Sequence, residues 1–118
     1  MNVYDLAHSL AREIKKSDEY KSYQEIRDKI RDNKTTLEML RDFQKEQFKL
    51  QSKALTGEKI TEEEKEKFNR LMELVNLNKD IKKYLEVEYR ISVMLNDIQE
   101  IVFGDLNLGF GKEEKHPE

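Results

Sequence analysis

The chain contains no cysteine and no tryptophan, a single proline, four glycines and two histidines. Without cysteine there is no disulfide framework, no thiolate metal or iron–sulfur site and no cysteine nucleophile, and thiols say nothing about redox compartment. Long apolar runs are missing too: nowhere do 18 apolar residues follow one another, so no segment reads as a membrane span. The start, Met1 to Ala11, lacks the basic end and unbroken apolar stretch of a signal peptide, which places the protein in the cytoplasm. Net charge is small as well. The 22 basic and 25 acidic side chains leave −3 at pH 7, and a pI near 5.6 argues against a wholesale basic, nonspecific nucleic-acid binder.

What is present is charge in balance. Charged residues make up 40% of the 118 residues and hydrophobic ones 36%. High charge that cancels lacks the self-repulsion of a disordered chain. Ala, Glu, Lys, Leu and Arg together supply 55 residues, as expected of long helices. The length is that of one domain with a modest core.

Along the chain the apolar period is helical, and the alternation of strands is absent. Val3, Leu6, Ala7, Leu10, Ala11 and Ile14 trace one face of a first helix, with Asn2 placed to cap it and Asp5 in the first turn. Ser17 ends that helix and can cap a second, whose stripe runs Tyr20, Tyr23, Ile26, Ile30. Thr35-Thr36-Leu37-Glu38 fits a capping box for a third, and Asp32 or Asn33 could cap equally well. The third helix reaches from Asn33 to Thr56, with Leu37, Leu40, Gln44, Phe48, Gln51 and Leu55 on one face and Phe43 and Leu50 widening it. Gly57 stands where a left-handed residue closes a helix. Thr61-Glu62-Glu63-Glu64 then opens the next with a capping box, making an antiparallel hairpin. The apolar pattern continues through Phe68, Leu71, Met72 and Val75 and resumes at Ile81, Leu85, Ile91, Leu95, Ile98 and Val102. Asn78 could cap a new helix, or the two pieces could be continuous, since a 3.5 spacing runs through from Leu71 to Leu95; a break or kink at Asn76–Asp80 is favoured, because poor helix formers gather there. Residues 1–103 therefore form one helical domain, and residues 104–118, holding three of the glycines and the proline, a flexible tail.

The search for chemistry is mostly negative. His8 and His116 are far apart in sequence, and neither has a second histidine at ligand spacing. Gly109 and Gly111 precede no capped helix and so form no phosphate loop. Glu62/Glu66 and Glu113/Glu114 have the look of a solvated helix start and a charged tail, not of a carboxylate dyad. No catalytic, metal or cofactor residue is assigned. Two features remain as candidate partner contacts. Arg41, Lys45, Lys49 and Lys53 step every four residues along the third helix, a row that could meet phosphates or an acidic partner. Asp42–Lys45 and Glu46–Lys49 are spaced for ordinary ion pairs on that surface. Glu88 falls on the apolar seam between Leu85 and Ile91, where a polar group fixes register or meets a partner. Its neighbour Glu86 is spaced to pair with Arg90.

The run Phe43 to Leu50, then Gln51, then Gly57-Glu58-Lys59-Ile60-Thr61-Glu62-Glu63, then Ile81-Lys82-Lys83-Tyr84-Leu85-Glu86-Val87-Glu88-Tyr89-Arg90-Ile91-Ser92 resembles the YlbF/YmcA family of small helical bacterial proteins, particularly its YheA-like branch. The likeness covers residues 3–103, with matching turn positions. It implies a cytoplasmic helical bundle that tends to self-associate and has no assigned enzymatic activity. Some family members are accessory subunits of a complex that modulates a membrane-tethered ribonuclease, and through it mRNA processing, competence, sporulation and biofilm formation. Those members include cysteine-ligated iron–sulfur proteins, a cofactor that does not carry over to a chain without cysteine.

The expected architecture is all-α: an antiparallel bundle of four to five helices built on a long helical hairpin, whose apolar stripes project past the short first two helices. Covering those stripes predicts a homodimer or higher homo-oligomer, closed by two-fold symmetry. The leading functional expectation is a non-enzymatic adaptor or regulator that contacts another protein. The alternatives are an RNA-associated module using the Arg41 row and a helical scaffold or chaperone-like protein.

Overall fold

A computed structural model describes residues 1–106 and 108. It holds five helices and, among the described residues, no strand: α1 (Val3–Lys16), α2 (Asp18–Arg31), α3 (Lys34–Thr56), α4 (Glu62–Leu77) and α5 (Lys79–Gly104). Apart from residues 104–106 and 108, the expected flexible tail lies outside the described residues.

Each boundary has a side-chain cause. The Asn2 carboxamide oxygen accepts from the Asp5 N–H at 2.8 Å. Ser17 serves two helices: its hydroxyl donates to the Ile14 carbonyl at 2.6 Å and accepts the Tyr20 N–H at 3.1 Å. One residue thus satisfies orphan groups on both sides of a sharp bend. Of the three possible starts for the third helix, Asn33 is the cap, accepting from Thr36 N–H at 3.1 Å. Gly57 takes φ 79° in the left-handed region, and Thr61 and Glu64 form the reciprocal capping box. The break before α5 falls at Asn78, whose side chain accepts the Ile81 N–H at 2.9 Å.

The core lies in the middle of the molecule. Ile26 and Ile30 of α2, Leu40 and Phe43 of α3, Val75 of α4 and Ile81, Tyr84 and Val87 of α5 are buried together. Burying each such side chain contributes about 1.5–3 kcal/mol relative to exposure. Around them α2 and α5 run antiparallel, with Lys29 3.3 Å from Asp80 and the Tyr23 and Tyr84 rings 5.6 Å apart. The hairpin is antiparallel too, Phe43 stacking on Phe68 at 5.5 Å.

Both ends outrun this centre. The radius of gyration is 18.5 Å, against about 13.5 Å for a compact domain of this length. At one end the α3–α4 hairpin projects toward Gly57. At the other, the register set by Lys29–Asp80 and Tyr23–Tyr84 brings the start of α2 to about residue 90 of α5, because both helices rise equally per residue. The rest of α5 continues without α2 beside it.

Candidate partner-contact surfaces

α3 presents two different faces. Its inward face is Thr36, Leu40, Phe43 and Glu46, all buried, continued by half-buried Leu50 and Lys53. This is rotated from the face that the apolar spacing favours: Phe48 and Leu55, expected in the seam, are 71% and 89% exposed. α4 explains the rotation, since its charges complete α3's polar inward positions. Glu46 is not the partner of Lys49 that helix spacing predicts. It is buried and meets Lys67 of α4 at 3.2 Å. Lys53 donates to Glu64, which Lys49 also approaches at 3.9 Å. The Lys53 ammonium and then the Thr61 backbone N–H hold the Glu64 carboxyl down at about 2, well below its ordinary 4.5. A carboxylate so placed stays ionised and stitches the hairpin near its tip.

The four-cation row is therefore divided. Lys49 and Lys53 turn toward Glu64, whereas Arg41 and Lys45 are exposed and make no ion pair among the described residues. At 100° per residue, Arg41, Lys45, Phe48 and Leu55 fall within one narrow outward stripe. The sequence held one signal of this: a stripe too wide to be buried by a single neighbouring helix must leave part of itself outside.

Glu88 is half-buried and accepts the Tyr84 hydroxyl proton at 3.3 Å. Burial, then the neighbouring Tyr23 and Glu88, push the Tyr84 phenol well above its ordinary value, so it remains a donor. Glu88 thus has an in-chain partner one helical turn away, tied to the α2–α5 register through Tyr23. Its neighbour Glu86 pairs with Arg90 at 3.5 Å, as the spacing predicts.

A second exposed apolar surface lies at the opposite end. α1 has no buried residue, and Val3, Tyr4, Leu6 and Leu10 are exposed. It touches α2 and no other helix. On distal α5, Val93, Leu95, Ile101 and Val102 are exposed. Sequence reasoning placed the projecting apolar stripes on the long hairpin alone. It missed this end because α1 reads as an ordinary amphipathic helix and nothing local says that its face has no neighbour.

Among the described residues no three His, Asp or Glu side chains gather as a metal site would require, and no helix is long and apolar enough to cross a membrane. A shallow, open cleft between α2 and α5 is lined by Ser22, Glu25, Ile26, Lys29 and Lys83.

Comparison with known proteins agrees with this architecture. A UPF0342 protein of Halothermothrix orenii is 58% identical over 115 residues, 98% of each chain. Another from Symbiobacterium thermophilum is 41% identical over 112 residues, 93% of this chain and all of the relative. A solved protein of unknown function (DUF964) from Bacillus stearothermophilus, 21% identical, shares the fold with a TM-score of 0.73 over 92% of this chain and 98% of its own. The family described as control of competence regulator ComK, YlbF/YmcA, matches residues 3–107. The chain is a member of the YlbF/YmcA family.

Proposed function

We propose that this protein is a non-enzymatic regulatory adaptor of the bacterial cytoplasm, acting through protein contacts in the control of mRNA processing or of a developmental programme. The observation that carries the reading is the family match over residues 3–107, with its description as control of a competence regulator. The outward face of α3 supports it. Arg41 and Lys45 beside Phe48 and Leu55 offer cations next to apolar area, a combination suited to an acidic, apolar segment of another protein. Glu88, engaged with Tyr84, acts in this reading through register and not through the partner.

Affinity capture from a native lysate tests it. The wild-type chain retains a specific protein, and a variant carrying Arg41→Glu, Lys45→Glu and Phe48→Ala loses it. Capture that is identical with both chains contradicts the assignment of this face. An RNA-binding reading would use the same row, but Glu64 neutralises part of it. It predicts affinity for single-stranded RNA that falls steeply with salt, and flat affinity from low to moderate salt excludes it.

A further inference from the structure

We propose that the outward face of α3 is one half of a heterotypic coiled coil. It takes an amphipathic helix of another protein, apolar where that helix lies beside the hairpin tip and acidic where it lies beside Arg41 and Lys45. The proposal rests on the adaptor reading and names the chemistry of its partner.

The spacing on α3 argues for a helix as the occupant. Arg41, Lys45, Phe48, Ser52 and Leu55 follow one another by steps of four, three, four and three residues, the 3.5-residue repeat of a coiled-coil seam. At 100° per residue they stay within about 80° of arc, and that arc lies about 180° from the buried Thr36, Leu40, Phe43 and Glu46. α3 thus carries two seams, one filled by its own chain and one open. The two large apolar side chains that α3 leaves exposed, Phe48 and Leu55, both stand on the open seam. They are seven residues apart, so each is placed as a knob for the holes of a neighbouring helix.

Charge selects which helix. The half of the seam near the start of α3 holds Lys34, Glu38, Arg41 and Lys45, three cations against one acid. Arg41 and Lys45 are exposed and make no ion pair among the described residues. The half near Gly57 is Phe48, Ser52 and Leu55, without charge. A second copy fits this seam poorly: parallel, its cations meet cations, and antiparallel, its Arg41 meets Phe48. A phosphate chain fits poorly too, because it is charged along its whole length and meets Glu38 and Asp42 as well as the cations. A helix with carboxylates on one half of its seam and large apolar side chains on the other satisfies both halves. Its charges set register and its apolar pair anchors it.

Because the chain has no cysteine, single cysteines test the proposal. Ser52→Cys and Glu38→Cys on the seam, and Glu66→Cys on the face of α4 opposite Phe68, each carry a maleimide benzophenone on the full chain. Each labelled protein is irradiated in native lysate and its crosslinks are mapped by mass spectrometry, with circular dichroism verifying the fold. Positions 38 and 52 lie 14 residues apart in α3, about 21 Å. Their crosslinks fall about 14 residues apart in a helical partner segment, against about 6 in an extended one. The expected result is the helical spacing, with acids near the crosslink at position 38, apolar residues near that at position 52, and none from position 66. Adding Arg41→Glu and Lys45→Glu lowers the yield at position 52 at least about tenfold. An extended spacing, the opposite polarity, or equal crosslinking from position 66 overturns the proposal and leaves the adaptor reading standing. Crosslinks to RNA, to lipid or to a second copy of this chain overturn it as well. A chain that neither crosslinks to nor captures another protein overturns both readings.

Discussion

The hairpin arm and the α1/α5 end are both amphipathic helices that outrun the core, yet they are finished by different means. In the hairpin, Phe43 stacks on Phe68, Glu46 reaches Lys67, and Lys53 and Lys49 converge on Glu64, itself locked by the Thr61 cap. These groups of that arm find their partners within the same chain. At the other end α1 has caps at both termini and no buried side chain. Good local signals make a helix there whose only neighbouring helix is α2. An isolated helix of this length is marginal in water, so α1, which α2 alone touches, is the helix of this fold with the least tertiary support. Local capping and tertiary completion are thus separate achievements, and this fold shows one end with both and one with only the first.

Substitutions that touch one end and spare the other sharpen this contrast. The largest effect belongs to the centre that both share: Ile81→Ala, at a fully buried position, lowers unfolding free energy by about 2–5 kcal/mol in urea titration and loosens both ends together. Next is the hairpin tip. Gly57→Ala meets no atom within 4 Å, so its cost comes from the left-handed φ alone, about 1–2 kcal/mol by thermal or urea unfolding, with oligomeric state unchanged. A smaller effect is expected from pH. The folded Glu64 carboxyl lies at about 2 against an ordinary 4.5, so the unfolded chain binds the extra proton between these values. The stabilisation it provides is fully present above 4.5 and is lost as pH falls toward 2. The difference in melting temperature between wild type and Glu64→Gln therefore shrinks to nothing across that window, and a constant difference would mean that Lys53 does not hold the charge. Smallest of all, Arg41→Ala and Lys45→Ala shift stability by less than about 0.5 kcal/mol in the same unfolding assay, as exposed cations without an ion pair should.

Much of the fold was legible because its boundaries are local chemistry. Asn2, Ser17, Gly57, Thr61 and Asn78 mark their turns by side-chain oxygens or by a missing Cβ, and these act within three residues of where they stand. The inward face of α3 was less legible. Phe48 and Leu55 outrank Glu46 and Lys53 in hydrophobicity, so periodicity favours the wrong side. The decision comes from Lys67 and Glu64, residues of another helix. The candidate site residues divide along the same line. Spacing alone puts Arg41, Lys45, Lys49 and Lys53 in one row, and only the position of Glu64 separates the two engaged cations from the two exposed ones. Glu88 was recognised as a polar group on a seam, while its hydroxyl partner, Tyr84, was hidden among core aromatics. The α1 end was least legible, since nothing in the sequence of α1 says that α2 alone touches it.

Hydrogen–deuterium exchange compares the two ends in a single experiment. The account predicts that amides of the α3–α4 hairpin exchange slowly, held by the contacts of Glu46 and Glu64, while those of α1, which buries no side chain, exchange fast. Protection of α1 equal to that of the hairpin would contradict it.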